Sequence, residues 1–211
     1  ESDVDIMVQY VEKATEVLQS QKNSKLKGTE EVEIKIQETL LAAAEKYYVL
    51  GSLDNCYQIL HKLAKQGFVK ALQSIISHRL NEVQKCLNII DKKESVLNAI
   101  SEIGGFDISP IINTADYCTL WSEKINATIE ECKSLDHNNA IDKFQKLIDE
   151  IESIGFDSSY ANEKIELVRK NLIERKYIIA RELERNNKFD EAITAYKQIN
   201  SLENKRVPTL S

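Results

Sequence analysis

Apolar residues return at steps of three and four along almost the whole chain. In the opening stretch Val4, Met7, Val11, Ala14 and Leu18 keep this interval. Such spacing lines one side of a 3.6-residue helix, whereas a strand alternates with period two. Only two prolines and six glycines occur in 211 residues, so little interrupts the rhythm. The chain is therefore expected to be all-α, with no strand.

The punctuation places the helices. Ser2 with Asp5 reads as a capping signal for the first helix, and the polar stretch NSKLKGT, Asn23 to Thr29, ends it. Thr29 is expected to cap a long helix that stops at Gly51, and a shorter helix runs from Leu53 to Gln66, before Gly67. The next long helix carries a seam from Leu72 through Leu80 and Val83 to Leu87 and Ile90. Asp91 with Glu94 reads as a capping box for a short helix ending at Gly104-Gly105. Ser109-Pro110 reads as a restart, a capping serine followed by proline at the first helical position. The resulting long helix includes Ile111, Ala115, Cys118, Ile125 and Cys132. A short helix with Ala140 and Phe144 runs to Gly155, and Ser158 or Ser159 caps the last long helix. The final short helix lies in RNNKFDEAITAYKQI, Arg185 to Ile199.

After the first helix the order is long then short, four times over. The long helices begin near residues 29, 68, 109 and 158, at steps of roughly 39, 41 and 49 residues. The expected units are 29–67, 68–105, 106–155 and 156–201, within an array over 29–201. An N-terminal helix and polar linker occupy 1–28, and a tail occupies 202–211.

The short-helix starts align. Asp54, Glu94, Asn138 and Asp190 each open a turn, and Cys56, Val96, Ala140 and Ala192 follow two residues later. Leu60, Ile100, Phe144 and Tyr196 stand four further on. A polar residue near a helix start meets free N–H groups and the positive end of the dipole. The compact residue lets two helices approach closely, and the large one fills the space a turn later. A lone hairpin of this kind exposes an apolar face and must stack on another.

The fourth unit resembles a tetratricopeptide repeat. Ile179, Ala180 and Leu183 stand at its first-helix positions, and Ala192 and Tyr196 at its second-helix small and aromatic positions. In the first unit Leu40, Ala44 and Tyr47, then Cys56 and Leu60, fit the same places, and KLAKQGFVKAL resembles the related Sel-like repeat. The resemblance implies a right-handed α-solenoid of about four helical hairpins plus the N-terminal helix. It also implies binding of another protein or a peptide in a groove lined by the long helices. A structural or oligomerising domain of a larger protein is the alternative.

Little in the sequence points to chemistry. The net charge of −6 lacks the basic footprint of a nucleic-acid binder. Cys56, Cys86, Cys118 and Cys132 have no zinc or redox spacing. Cys118 and Cys132 share one helix about 21 Å apart, so they are expected to be free thiols, in keeping with a cytoplasmic protein. His61, His78 and His137 are isolated in sequence, with His137 expected in a solvated turn. No cofactor, metal ligand or catalytic constellation is expected, and no run is long and apolar enough to cross a membrane.

The candidate binding residues are Trp121, the lone tryptophan, and Arg169, Arg175 and Lys176 from a basic cluster on the last long helix. Arginine forks suit carboxylate or phosphate groups, although Glu166, Glu174 and Glu182 are interleaved for intrahelical pairing. Ile193, Tyr196 and Ile199 form a candidate assembly face at the end of the array, where self-association is expected.

Overall fold

The computed structural model describes residues 3–21 and 29–204. Ser2, nearly all of the polar stretch after Gln21, and the tail from residue 205 with Pro208 lie outside the described residues. Among the described residues there are nine helices and no strand. They are α1 (Asp3–Gln21), α2 (Thr29–Val49), α3 (Leu53–Lys65), α4 (Val69–Lys85), α5 (Ile89–Ile103), α6 (Ala115–Lys133), α7 (His137–Ile154), α8 (Ser158–Arg185) and α9 (Phe189–Glu203). None is long and apolar enough to cross a membrane.

Left-handed residues end the helices where sequence reasoning put the turns. Gly51 (φ 76°) follows α2, Gly67 (φ 81°) follows α3 and Gly155 (φ 88°) caps α7. Asn187 (φ 57°) does the same after α8. These positions need the positive φ that glycine and asparagine tolerate.

Three starts differ from expectation, and side-chain chemistry explains the first two. The α4 seam does not reach Leu87 and Ile90. The chain leaves the helix after Lys85, and the Asn88 side chain accepts the Asp91 amide at 2.8 Å. Asn88, rather than Asp91, therefore opens α5. Ser109-Pro110 opens no helix either. The Ser109 amide (3.0 Å) and hydroxyl (2.7 Å) both donate to Asp107 Oδ1, so the serine is spent on a local turn. Helix α6 starts after Thr114 instead.

Asp157, not Ser158 or Ser159, precedes α8. Its amide donates to Asn113 Oδ1 (2.8 Å), and its carboxylate accepts from Asn113 Nδ2 (3.1 Å). The long–short contrast also fades in two hairpins, where α4 has 17 residues and α5 has 15, and α6 has 19 and α7 has 18.

The described chain divides into two compact units, Glu1–Asn81 with Ser101–Ile111, and Glu82–Ile100 with Ile112–Ser211. The division runs through α4 and α5. In the first unit α2 packs on α1 and α3. Ala43, Ala44 and Cys56 have 1% exposure or less, and these small side chains allow the close approach of α2 and α3. Tyr47 is buried, and its hydroxyl donates to Asp5 of α1. That bond, helped by burial, pushes the phenol up to about 12.

In the second unit α8 packs on α6, α7 and α9. Phe144, Leu147 and Ile151 of α7 are buried, as are Val168 and Leu172 of α8. Burying a side chain of this size stabilises by about 1.5–3 kcal/mol. The four compact residues of the aligned helix starts, Cys56, Val96, Ala140 and Ala192, are all buried.

A charged clasp ties three helices of this unit together. Glu131 of α6 meets Lys143 of α7 at 2.5 Å and Lys93 of α5 at 2.8 Å. The bonds from Lys143, then Lys93, hold its carboxyl below the ordinary 4.5. A carboxylate lowered in the folded state contributes stability above its unfolded value, and that contribution is lost as pH falls through the folded value. Glu131→Gln is thus expected to lower the melting temperature at pH 7, with the deficit shrinking steadily below about pH 4.5. Thermal melts of both proteins between pH 7 and 3 check this; a deficit that does not change with pH contradicts it.

Candidate functional site

Helix α8 has 28 residues against 15 in α9, so part of it extends past its partner. Leu167, Lys170, Ile173, Glu174 and Tyr177 recur at helical spacing along one side of α8. Together with Leu202 and Glu203 from the last turn of α9, they border a groove of about 580 Å³. Its floor is apolar: Leu167 is exposed, and Ile173, Tyr177 and Leu202 are half-buried.

The groove's charges are unevenly engaged. Arg169 stands on the border and donates to Glu166 one turn earlier. Lys170, Glu174 and Glu203 border the same space, and none of them makes an ion pair with another of the described residues. The groove therefore offers an apolar strip with both signs of charge at its edge. A partner chain carrying apolar anchors and charged flanks suits that chemistry.

The sequence candidates separate in three dimensions. Only Arg169 reaches the groove. Arg175 turns elsewhere: its Nη2 donates to the Cys132 carbonyl at 2.8 Å, and its Nη1 lies 3.2 Å from His137 Nδ1. A cation there meets the open carbonyls and negative end of α6, so Arg175 joins helices rather than presenting a binding fork. Lys176 is half-buried outside the groove. His137, expected in a solvated turn, is instead the first residue of α7, half-buried beside Arg175.

Trp121 is 3% exposed, so it is no surface anchor. Its ring meets Phe156 edge-on at 5.7 Å, and the Lys124 ammonium sits 4.2 Å from its centre. The tryptophan belongs to an aromatic cluster with Tyr117, Phe156 and Tyr160. Tyr160 donates to the Cys118 carbonyl at 2.7 Å, and burial pushes its phenol up to about 12.

On α9 the candidate assembly face is smaller than expected. Ile199 is 1% exposed, covered within its own chain. Tyr196 is half-buried, with its ring 6.1 Å from Tyr177 and its hydroxyl donating to Glu184 at 3.2 Å. Ile193 stays exposed, joined one turn earlier by Phe189. The cause is geometric: α9 already buries the Ala192–Ile199 line, leaving only the flank for anything else.

No family model matches this chain, and no curated protein or solved structure is significantly similar to it.

Sequence reasoning missed a polar network inside the first unit. His78 of α4 is 5% exposed and stacks on Tyr48 of α2, with ring centres 3.6 Å apart and planes 3° from parallel. Its Nε2 lies 3.0 Å from Glu45, and its Nδ1 lies 3.8 Å from the Cys56 sulfur. Thiol, imidazole and carboxylate stand here in the order of a nucleophile, its base and an orienting group. Cys56 has no exposed area, however, so in this conformation no outside substrate reaches the sulfur.

Beside it, Glu102 of α5 receives Arg79 Nε (2.6 Å) and Nη2 (3.1 Å) and pairs with His61 Nε2 at 2.5 Å. The Arg79 guanidinium also lies 3.7 Å from the centre of the Tyr57 ring. The network satisfies buried polar groups and joins α2, α3, α4 and α5. Its members are 20 to 40 residues apart in places, so no local motif signals it. Among the described residues no group of histidine, cysteine and carboxylate side chains could hold a metal ion.

Proposed function

We propose that the protein is a tetratricopeptide-like helical scaffold that binds another protein or a peptide. The right-handed solenoid arrangement belongs to this reading. The observation that carries it is the α8 groove, with its apolar floor and with Lys170, Glu174 and Glu203 at its border. Stacked hairpins offer extended surfaces of this kind, and partners lay segments along them. Functional analogy to the repeat class supplies the rest.

Site-specific photo-crosslinking tests this reading. A photoreactive side chain at Lys170 is expected to trap a discrete partner from native lysate, whereas one at exposed Gln145 on α7 traps none. Ile173→Lys is expected to abolish the Lys170 product by placing a charge on the groove floor. Equal products from both positions, or a product that survives Ile173→Lys, would refute groove binding.

A second reading, a structural or oligomerising part of a larger protein, rests on the exposed Phe189 and Ile193 of α9. Its remaining apolar area is small once Ile199 is buried, and the groove reading is preferred for that reason.

A further inference from the structure

The start of α5 carries an apolar tip that its own helix does not use. Leu87 is fully exposed (102%), Ile89 is 60% exposed and Ile90 is 78% exposed. Helix α7 supplies an internal control. Both helices open on a leucine followed by a capping side chain that accepts an amide three residues on, Asn88 from Asp91 (2.8 Å) and Asp136 from Asn139 (3.0 Å). In α7 the leading Leu135 is half-buried, and the next positions are His137 and Asn138. In α5 the same positions hold bare Leu87, Ile89 and Ile90.

A leucine before the cap ordinarily staples to an apolar residue four positions into the helix. That position in α5 is Lys92, which is engaged with Glu123 at 2.7 Å. Local capping therefore accounts for Asn88 and Asp91 but not for three exposed aliphatic side chains in four residues. A contiguous patch of this kind marks a contact surface.

The first unit holds a recess of matching character. Val4, Val49 and Leu50, with the stems of Glu45 and Lys46, line a volume of about 350 Å³. Val49 is 84% exposed and Leu50 67% exposed. The Glu45 carboxylate faces His78 at 3.0 Å, whereas Lys46 makes no ion pair with another of the described residues.

We propose that Leu87, Ile89 and Ile90 of one copy of the chain seat in the Val4–Val49–Leu50 recess of a second copy. Charge favours the same partner. Lys46 beside the recess offers a counter-charge to the exposed Glu94 one turn from the tip.

The same acidic flank, Asp91 and Glu94, disfavours an anionic bilayer. Lys92 and Lys93, the cations nearest the tip on α5, are spent on Glu123 and Glu131. Tip and recess are different surfaces, so each copy carries one of each and the contact is head-to-tail. Three aliphatic side chains in one small recess make a contact expected to fall below the ~1,200 Å² of a standard stable interface, so association is expected to be weak and to rise with concentration.

Sedimentation equilibrium over a hundredfold concentration range, with circular dichroism to confirm folding, tests the proposal. The mean mass of the wild type is expected to rise with concentration. Leu87→Asp and Val49→Asp are each expected to stay monomeric, with Ile90→Asp and Leu50→Asp as second choices should either fail to fold. An equimolar mixture of the Leu87→Asp and Val49→Asp proteins is expected to form dimers and nothing larger, because only one intact tip and one intact recess can meet. A wild type that stays monomeric throughout overturns the proposal. So does association that survives either substitution, or a mixture that stays monomeric. Co-sedimentation of the wild type, but not Leu87→Asp, with phosphatidylserine–phosphatidylcholine vesicles also overturns it and assigns the tip to lipid.

Discussion

Ala192→Glu is expected to destabilise the second unit by about 3 kcal/mol. Ala192 is 3% exposed in the first turn of α9, where that helix packs on α8. A glutamate there either buries an unpaired charge, at a cost of about 3–5 kcal/mol, or forces the two helices apart. The positive end of the α9 dipole offsets only about 0.3–1 kcal/mol of that. Ala195, one turn on, is half-buried. Ala195→Glu still leaves the new carboxylate a path to water, and less than half the effect is expected. Melting temperatures of the two variants decide the matter, and equal values contradict the placement of Ala192 against α8.

Phe144→Ala is expected to cost about 3–5 kcal/mol, the usual range for emptying a buried aromatic site. Phe144 is 2% exposed on α7, a helix that packs on both α6 and α8. Tyr196 stands at the aligned position of α9, whose main packing partner is α8, and it keeps part of its ring in solvent. Tyr196→Ala is therefore expected to cost much less than Phe144→Ala, although the two residues align in the helix starts. Denaturant unfolding of both variants measures the difference. Equal losses contradict the distinction between an enclosed helix and an end helix.

That distinction shows where sequence reasoning stops. Phe144 and Tyr196 look equivalent in the aligned helix starts, and each stands four residues after a buried alanine. Local spacing sets which side of its own helix a residue occupies. Whether a second helix then covers that side depends on neighbours further along the chain. The same limit explains Trp121, Arg175 and Ile199. Each was a candidate for surface binding or assembly, and each is used inside the fold: in an aromatic cluster, at the C-terminal end of α6, and under α9.

The reverse error occurred at Leu87 and Ile90. Their spacing continues the α4 rhythm, yet Asn88 ends that continuity by capping α5, and both side chains fall in solvent. A periodicity of three and four cannot by itself distinguish one long helix from two short ones out of phase. The capping side chain decides, and asparagine was passed over for the aspartate three residues later. The groove was only partly legible: Arg169 was singled out, but Leu167, Ile173 and Tyr177 were not.

By itself the sequence determined that the chain is helical, where most of its turns fall, and which compact residues lie under the helix starts. These follow from short-range physics: a 3.6-residue period, a glycine or asparagine able to take positive φ, and a polar side chain near free amides. Only the tertiary structure decided which candidates meet a groove, which are enclosed, and that His78, Glu45, Cys56 and Tyr48 stand together. Those outcomes depend on pairs of residues tens of positions apart. Their meeting is set by how whole helices pack, and no interval within a single helix records it.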